Sequence, residues 1–273
     1  MTTRASLYHA RYGATDVAVP AAGSPIIDHL LAHRSVRAYL PDPVADDQLA
    51  AIVAAAQSAA SSSNLHAWSV VAVRDPERKA RLSLHAGDQP HIRQAPLLLV
   101  WLADLARLEA VADKVGEAHA ALDYLEMFEV GVIDAALAAQ NAVAAAESLG
   151  LGTVYIGGIR NQPEAVAAEL QLPPRVVAVF GLCVGTPDPA QPADVKPRPP
   201  QAVVLHHETY SLPAQADGLT RYDAAMAAFY ASQGMKVRGT WSNHSAKRVR
   251  DAAALSGRDR LVEALHALGF PLR

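Results

Sequence analysis

Apolar residues along this chain fall into two patterns: short unbroken runs, and longer stretches with helical spacing. The runs are Ser69–Asp75 (SVVAVRD), Pro96–Asp104 (PLLLVWLAD), Gly152–Ile159 (GTVYIGGI) and Val176–Gly185 (VVAVFGLCVG). Each is short and largely apolar, which predicts a strand, and the almost continuous run Pro96–Asp104 predicts a buried one. Helical spacing starts at Pro25, a good first-turn residue, and runs through Ile26–His33. It returns at Leu49, Ile52, Val53 and Ala56, and stops before the turn-forming cluster Ser61-Ser62-Ser63-Asn64. Asp75-Pro76-Glu77 opens a further helix that Gly87 closes. The longest predicted helix spans Met127 to Leu149, is apolar on several faces and ends at Gly150. A helix of that kind has to be buried nearly all round, in the core or against a second subunit.

Asn161-Gln162-Pro163-Glu164 reads as a capping box with Asn161 as the cap. Beyond the last strand come a proline-rich loop, Pro187 to Pro200, and a helical remainder with one irregular stretch, Gln233 to Ser242. Strands and helices mix without a regular βαβ rhythm. Residues 1–22 are small, polar and aperiodic, which predicts a mobile extension ahead of one domain over 23–273.

Composition narrows the class. Of 273 residues, 51% are hydrophobic and 19% charged, enough for a sizeable core and too apolar for disorder. A formal net charge of -3 argues against general nucleic-acid binding. The one cysteine, Cys183, has no disulfide or zinc partner and lies in an apolar run, so it reads as a core residue. The N-terminus lacks the apolar core of a signal peptide. The apolar stretch from Phe128 to Val154 is interrupted by Glu129, Asp134, Gln140, Asn141 and Glu147, too many polar groups for a membrane span. A cytoplasmic location is expected, with no membrane and no nucleic-acid partner.

Three segments carry candidate chemistry. His33-Arg34-Ser35-Val36-Arg37 concentrates phosphate donors at a helix exit, although a solvated helix end looks the same. Lys196-Pro197-Arg198 is a second cationic pair in a proline-stiffened loop, where less entropy is lost on clamping an anion. Tyr155-Ile156-Gly157-Gly158 ends a strand with two glycines, which lets a flat ligand approach the backbone. No dinucleotide fingerprint, P-loop, serine-hydrolase elbow or trusted metal spacing is present among the 11 histidines and the acidic residues.

Taken in order, HRSVRAYLPDPV, SSSNL, GDQPHIRQAP, AAQNAVAAAESLGLGTVYIGGIRN, FGLCVGTP and DVKPRPP resemble one family. It is the oxygen-insensitive NADPH nitroreductase and flavin reductase P subfamily of the nitroreductase superfamily, and the likeness runs from about residue 26 to the C-terminus. It implies an α+β fold, a central antiparallel sheet flanked by helices, in an intertwined homodimer that binds FMN at the interface. Carried over by motif, His33, Arg34, Ser35 and Arg37 hold the FMN phosphate, ribityl chain and ring edge, and Lys196 and Arg198 complete the clamp. Ser61 and Gln89 match positions that touch the flavin, and Tyr155, Ile156, Gly157 and Gly158 face the ring. The implied activity is ping-pong electron transfer from NADPH to nitroaromatics, quinones or free flavin, with no acid–base residue required.

The chain also departs from that pattern. Gln233 stands where relatives carry an arginine for the NADPH 2′-phosphate, leaving Lys236 and Arg238 as substitutes and NADH as a possible donor. Asn64 replaces a phenylalanine near the substrate and His66 a glutamine, and Ser63 and Asn64 count among the substrate-side residues. Arg250 and Arg258 compete for one arginine that shapes the substrate pocket. Rival readings are a flavin reductase that supplies a partner monooxygenase, and an FMN-binding protein without turnover.

Overall fold

The four apolar runs pair into one sheet, the two most apolar, Pro96–Asp104 and Val176–Gly185, at its centre and the other two at its edges. A computed structural model of the chain describes residues 3–237 and 239–273. In chain order its elements are α1 (Arg4–Tyr12), α2 (Pro25–Leu31), α3 (Asp46–Gln57), β1 (Trp68–Val73), α4 (Pro76–His85), α5 (Pro90–Gln94), β2 (Leu97–Asp104) and α6 (Ala106–Val115). They continue with α7 (Leu125–Ser148), β3 (Gly152–Ile156), α8 (Pro163–Glu169), β4 (Val176–Gly185), α9 (Gln201–Val204), α10 (Ala216–Ser232), α11 (Trp241–Arg248) and α12 (Leu261–Ala267). The chain divides into two units, Met1–Arg34 with Asp194–Leu255, and Ser35–Ala193 with Ser256–Arg273.

The second unit holds the sheet, in the order β1-β2-β4-β3, with every neighbouring pair antiparallel. Strand β2 is buried along its whole length. Its residues alternate between two clusters. Leu98, Val100 and Leu102 pack with Leu82 of α4, Ala86 just beyond its end, Ile92 of α5 and Val166 of α8. Leu97, Leu99 and Trp101 pack with Ile52 and Ala56 of α3 and with Ala138, Ala139, Ala142, Val143 and Ala146 of α7. Alternation with a period of two, both faces covered, is the three-layer arrangement that the unbroken runs require. Cys183 lies in the first cluster, and burial pushes its thiol up to about 12, so it is a core side chain without thiolate chemistry.

Helix α7 is long and apolar enough to cross a membrane by length and composition alone. Its alanine face against α3 and β2 and its buried Asp134 instead make it the central helix of this unit. The expectation of near-complete burial holds only in part: Ile133 and Leu137, one turn apart, remain exposed within the single chain.

The first unit is helical. Residues read above as an aperiodic extension contain α1, opened by the Thr3 side chain, which accepts from the Ser6 amide, and closed by Gly13 at φ 65°. The apolar pattern missed this helix because nine residues give few periodic positions, whereas its end signals were present. Arg4 binds Asp28 of α2 through both carboxylate oxygens, at 2.8 and 3.1 Å. A second correction concerns α8. Its cap residue is Gln162, with no side-chain capping bond, and Asn161 belongs to the preceding 3-10 turn.

Candidate functional site

Within the second unit, the segment after His33-Arg34 is fixed by β3. Ser35 bridges Thr153, and the Val36 amide donates to the Thr153 carbonyl at 2.8 Å. Val36 is buried against Gly152, where an added Cβ would lie 2.7 Å from the valine side chain. That inward anchor leaves its neighbours outward: Ser35 is half-buried and Arg37 exposed. Arg37 also raises the cost of protonating His91, whose pKa is lowered by burial first and by Arg37 second. His91 Nε2 is buried with no hydrogen-bond partner among the described residues. No motif singled this histidine out; its place inside GDQPH beside Gln89 was the available signal.

Strand β3 ends in the glycine turn. Tyr155 is half-exposed, its ring packs edge-on to Phe180 at 5.2 Å, and burial raises its phenol so that it stays protonated. The Ile156 side chain lies in the core, which leaves only its backbone for any ligand contact. Gly157 and Gly158 open a 3-10 turn, Gly157–Asn161. A Cβ on Gly158 would sit 2.3 Å from the Ala86 carbonyl oxygen and 2.8 Å from Gln89 Nε2. The missing side chain therefore lets the turn seat on the end of α4 and beside Gln89, whose amide donates to that same carbonyl at 2.8 Å. A Cβ on Gly157 would meet only Arg160 Nη2 at 3.7 Å and Arg258 Nη1 at 3.8 Å. Arg258 is thus the arginine beside the glycine turn, while Arg250 pairs with Asp251 at 2.8 Å.

The serine cluster is held from another direction. Ser61 Oγ donates to Asp134 Oδ2 at 2.7 Å, the Ala67 amide donates to the same oxygen at 3.0 Å, and the Ser62 amide reaches Oδ1 at 3.3 Å. Ser63, Asn64 and His66 all adopt positive φ, at 47°, 57° and 50°. Such backbone costs free energy at each non-glycine residue and persists only where surroundings enforce it. Asp134, 1% exposed, is that constraint, and the sequence pattern had treated it only as a break in an apolar stretch. Replacing Asp134 with alanine leaves a hydroxyl and two amides without their shared acceptor. The expected loss is about 3 kcal/mol of stability, read as a lower urea midpoint. An unchanged midpoint would assign the cluster's shape to something else.

In the first unit, the KPR loop and the helix exit meet at α1. The Arg198 amide donates to the Arg11 carbonyl at 2.7 Å, and the Tyr222 hydroxyl of α10 donates to the Pro197 carbonyl at 3.2 Å. Pro197 is buried, while Lys196 is half-buried and Arg198 exposed. Among the described residues no carboxylate pairs with Arg34, Arg37 or Arg198, whereas Arg78, Arg81, Arg93, Arg107, Arg175 and Arg260 are all engaged by acids. Gln233 donates to Asp194 Oδ2 at 2.6 Å, so a carboxylate stands beside the position where the resemblance led to the expectation of a cation. Lys236 is exposed, and Arg238 lies outside the described residues.

The predicted residues thus form a cluster of Ser35, Gln89 and Tyr155–Gly158 around β3, a cluster of His33, Lys196 and Arg198 around α1, and a serine turn on α7. Comparison with known proteins matches residues 30–186 to the nitroreductase family and residues 196–273 to the nitroreductase family C-terminal domain. The chain is 41% identical over 252 residues to an oxygen-insensitive NADPH nitroreductase of Salmonella typhimurium, covering 92% of this chain and 100% of that one. A hypothetical oxidoreductase of Bacillus subtilis superposes with a TM-score of 0.86 at 36% identity, covering 92% of this chain and all of the other. The NADPH:FMN oxidoreductase of Vibrio harveyi, solved with NAD+, superposes with a TM-score of 0.80 at 34% identity, over 92% and 100%.

Proposed function

The chain belongs to the nitroreductase family, and on that footing we propose that it is an FMN-dependent oxidoreductase that carries electrons from NADPH to small flat acceptors such as nitroaromatics, quinones or free flavin. The observation that carries this reading is that the arginines of the two motif segments, Arg34, Arg37 and Arg198, all lack acid partners, in a chain where many others are neutralised. All three are exposed, so their forked donors can take up an anionic ligand. A dianionic phosphate ester suits that donor set, so the residues fit FMN.

His33, Arg34, Lys196 and Arg198 hold the phosphate in this reading, and Ser35 and Arg37 the ribityl chain and ring edge. Gln89 and the backbone amides of Tyr155–Gly158 bond the ring's polar edge, and the Tyr155 phenol remains a neutral donor. When bound, FMN supplies the two-electron redox chemistry, and the chain's task is to orient it and stabilise negative charge. Ser61 touches the flavin, and Ser63 and Asn64 border the acceptor side, with Arg258 shaping the pocket near Gly157. Lys236 and Arg238 are the candidate contacts for the NADPH phosphate, and the Gln233–Asp194 pair lowers discrimination against NADH. The exposed Ile133 and Leu137 on α7 fit a second copy of the chain, and the working compartment is the NADPH-containing cytoplasm.

The test is anaerobic stopped flow on FMN-loaded protein, reduced with NADPH or NADH and reoxidised with a nitrofuran, a quinone or free FMN. The expected result is bleaching by NADPH and recovery with at least one acceptor, from a protein that sediments as a dimer. A preparation that gains no flavin spectrum sinks the cofactor assignment. One that binds FMN yet never bleaches is a binding protein without turnover.

A further inference from the structure

Helix α1 precedes the family match, which begins at residue 30, and 252 of the 273 residues suffice to cover the Salmonella relative completely. It nevertheless carries a buried arginine joined to both cationic segments. Arg11 is 7% exposed. Its Nη2 donates to the carbonyls of Leu31 at 2.7 Å and His33 at 2.6 Å, its Nε reaches Leu31 at 3.2 Å, and its Nη1 donates to the Lys196 carbonyl at 3.1 Å. Its own carbonyl accepts the Arg198 amide at 2.7 Å.

From this arrangement we infer that Arg11 is a positioning residue that sets the spacing between His33-Arg34 and Lys196-Arg198, the two halves of a phosphate clamp. The inference rests on the FMN reading above. Leu31 and His33 lie at the exit of α2, where carbonyls lack helical partners and need a donor. A planar guanidinium offers several donors in a fixed fork, so one side chain fixes carbonyls from two distant segments at once. The same contact masks three carbonyl oxygens whose partial negative charge would oppose an approaching phosphate. Gly13 completes the seat: at φ 65° its absent Cβ would lie 2.9 Å from Pro197 Cγ, so the end of α1 rests on the KPR loop.

Arg11→Met and Arg11→Lys test this by titration of the full-length apoprotein with FMN and with riboflavin, which has no phosphate. Arg11→Met should weaken FMN about tenfold, leave riboflavin unchanged, and speed amide exchange at His33-Arg34 and Lys196-Arg198. Arg11→Lys should recover little, since it keeps the charge and loses the fork. FMN affinity equal to the parent in Arg11→Met, or full recovery in Arg11→Lys, overturns the role. Should Arg11→Met not fold, Gly13→Ala presses on Pro197 with the arginine intact and should give the same FMN-selective loss; its absence overturns the role. A parent protein that binds FMN no better than riboflavin defeats the phosphate reading itself, a result separate from either.

Discussion

Gly158→Ala is expected to destabilise the protein by about 3 kcal/mol and to empty most of its FMN, whereas Gly157→Ala folds like the parent. The two glycines are adjacent and neither has positive φ, so backbone freedom does not separate them. Space does. At Gly158 the new methyl would fall 2.3 Å from a backbone carbonyl, Ala86, whose residue is buried and whose amide closes α4 by donating to Leu82. That oxygen cannot swing aside without opening the helix end. At Gly157 the methyl would meet only the far ends of Arg160 and Arg258, at ordinary contact distance. A shifted turn also breaks the seat of Gln89, which bonds the same carbonyl. Thermal unfolding should drop by roughly 10 °C for Gly158→Ala alone, with FMN per chain after dialysis falling at least severalfold. Equal stability of the two variants would mean that the turn does not rest on α4 in solution.

The double variant Lys196→Gln with Arg198→Gln should raise the FMN dissociation constant by about a thousandfold, since two charge-assisted bonds are each worth about 1.5–3 kcal/mol. Riboflavin binding should change little, and the fall of FMN affinity with salt should flatten. Folding should survive, because the loop is fixed through backbone groups: the Arg198 amide on Arg11 and the Pro197 carbonyl on Tyr222. If FMN and riboflavin weaken together, the loop shapes the ring site and the phosphate lies elsewhere. If neither weakens, the cationic pair is a solvated loop, the plainer reading of Lys196-Pro197-Arg198 taken alone.

Much of this architecture is written in local chemistry. The runs are strands because short, mostly apolar segments between turn formers suit a covered sheet, and β1 to β4 fall where those runs do. Helices α2, α3, α4 and α7 follow from spacing and from end signals such as Pro25, Asp75 and Gly87. Ordered motifs also identified the family, because residues such as His33–Arg37 and Tyr155–Gly158 keep their sequence order wherever they act. What spacing does not encode is which backbone atoms meet. The fork of Arg11 on Leu31, His33 and Lys196 joins residues up to 185 apart in the chain, and α1 was too short to register as a period.

Asp134 shows the same limit. Along the sequence it is a polar interruption in an apolar helix, and only in the folded chain do Ser61, Ser62 and Ala67 turn toward it. Arg258 rather than Arg250 reaches the glycine turn for a reason equally invisible in one dimension, the return of the C-terminal segment to Gly157. By itself the sequence determined the four strands, helices α2, α3, α4 and α7, the family and the cationic character of HRSVR and KPR, all of which depend on residue type and near neighbours. Only the tertiary structure decided how HRSVR and KPR are held, because hydrogen-bond geometry between distant backbones is set by packing and not by pattern.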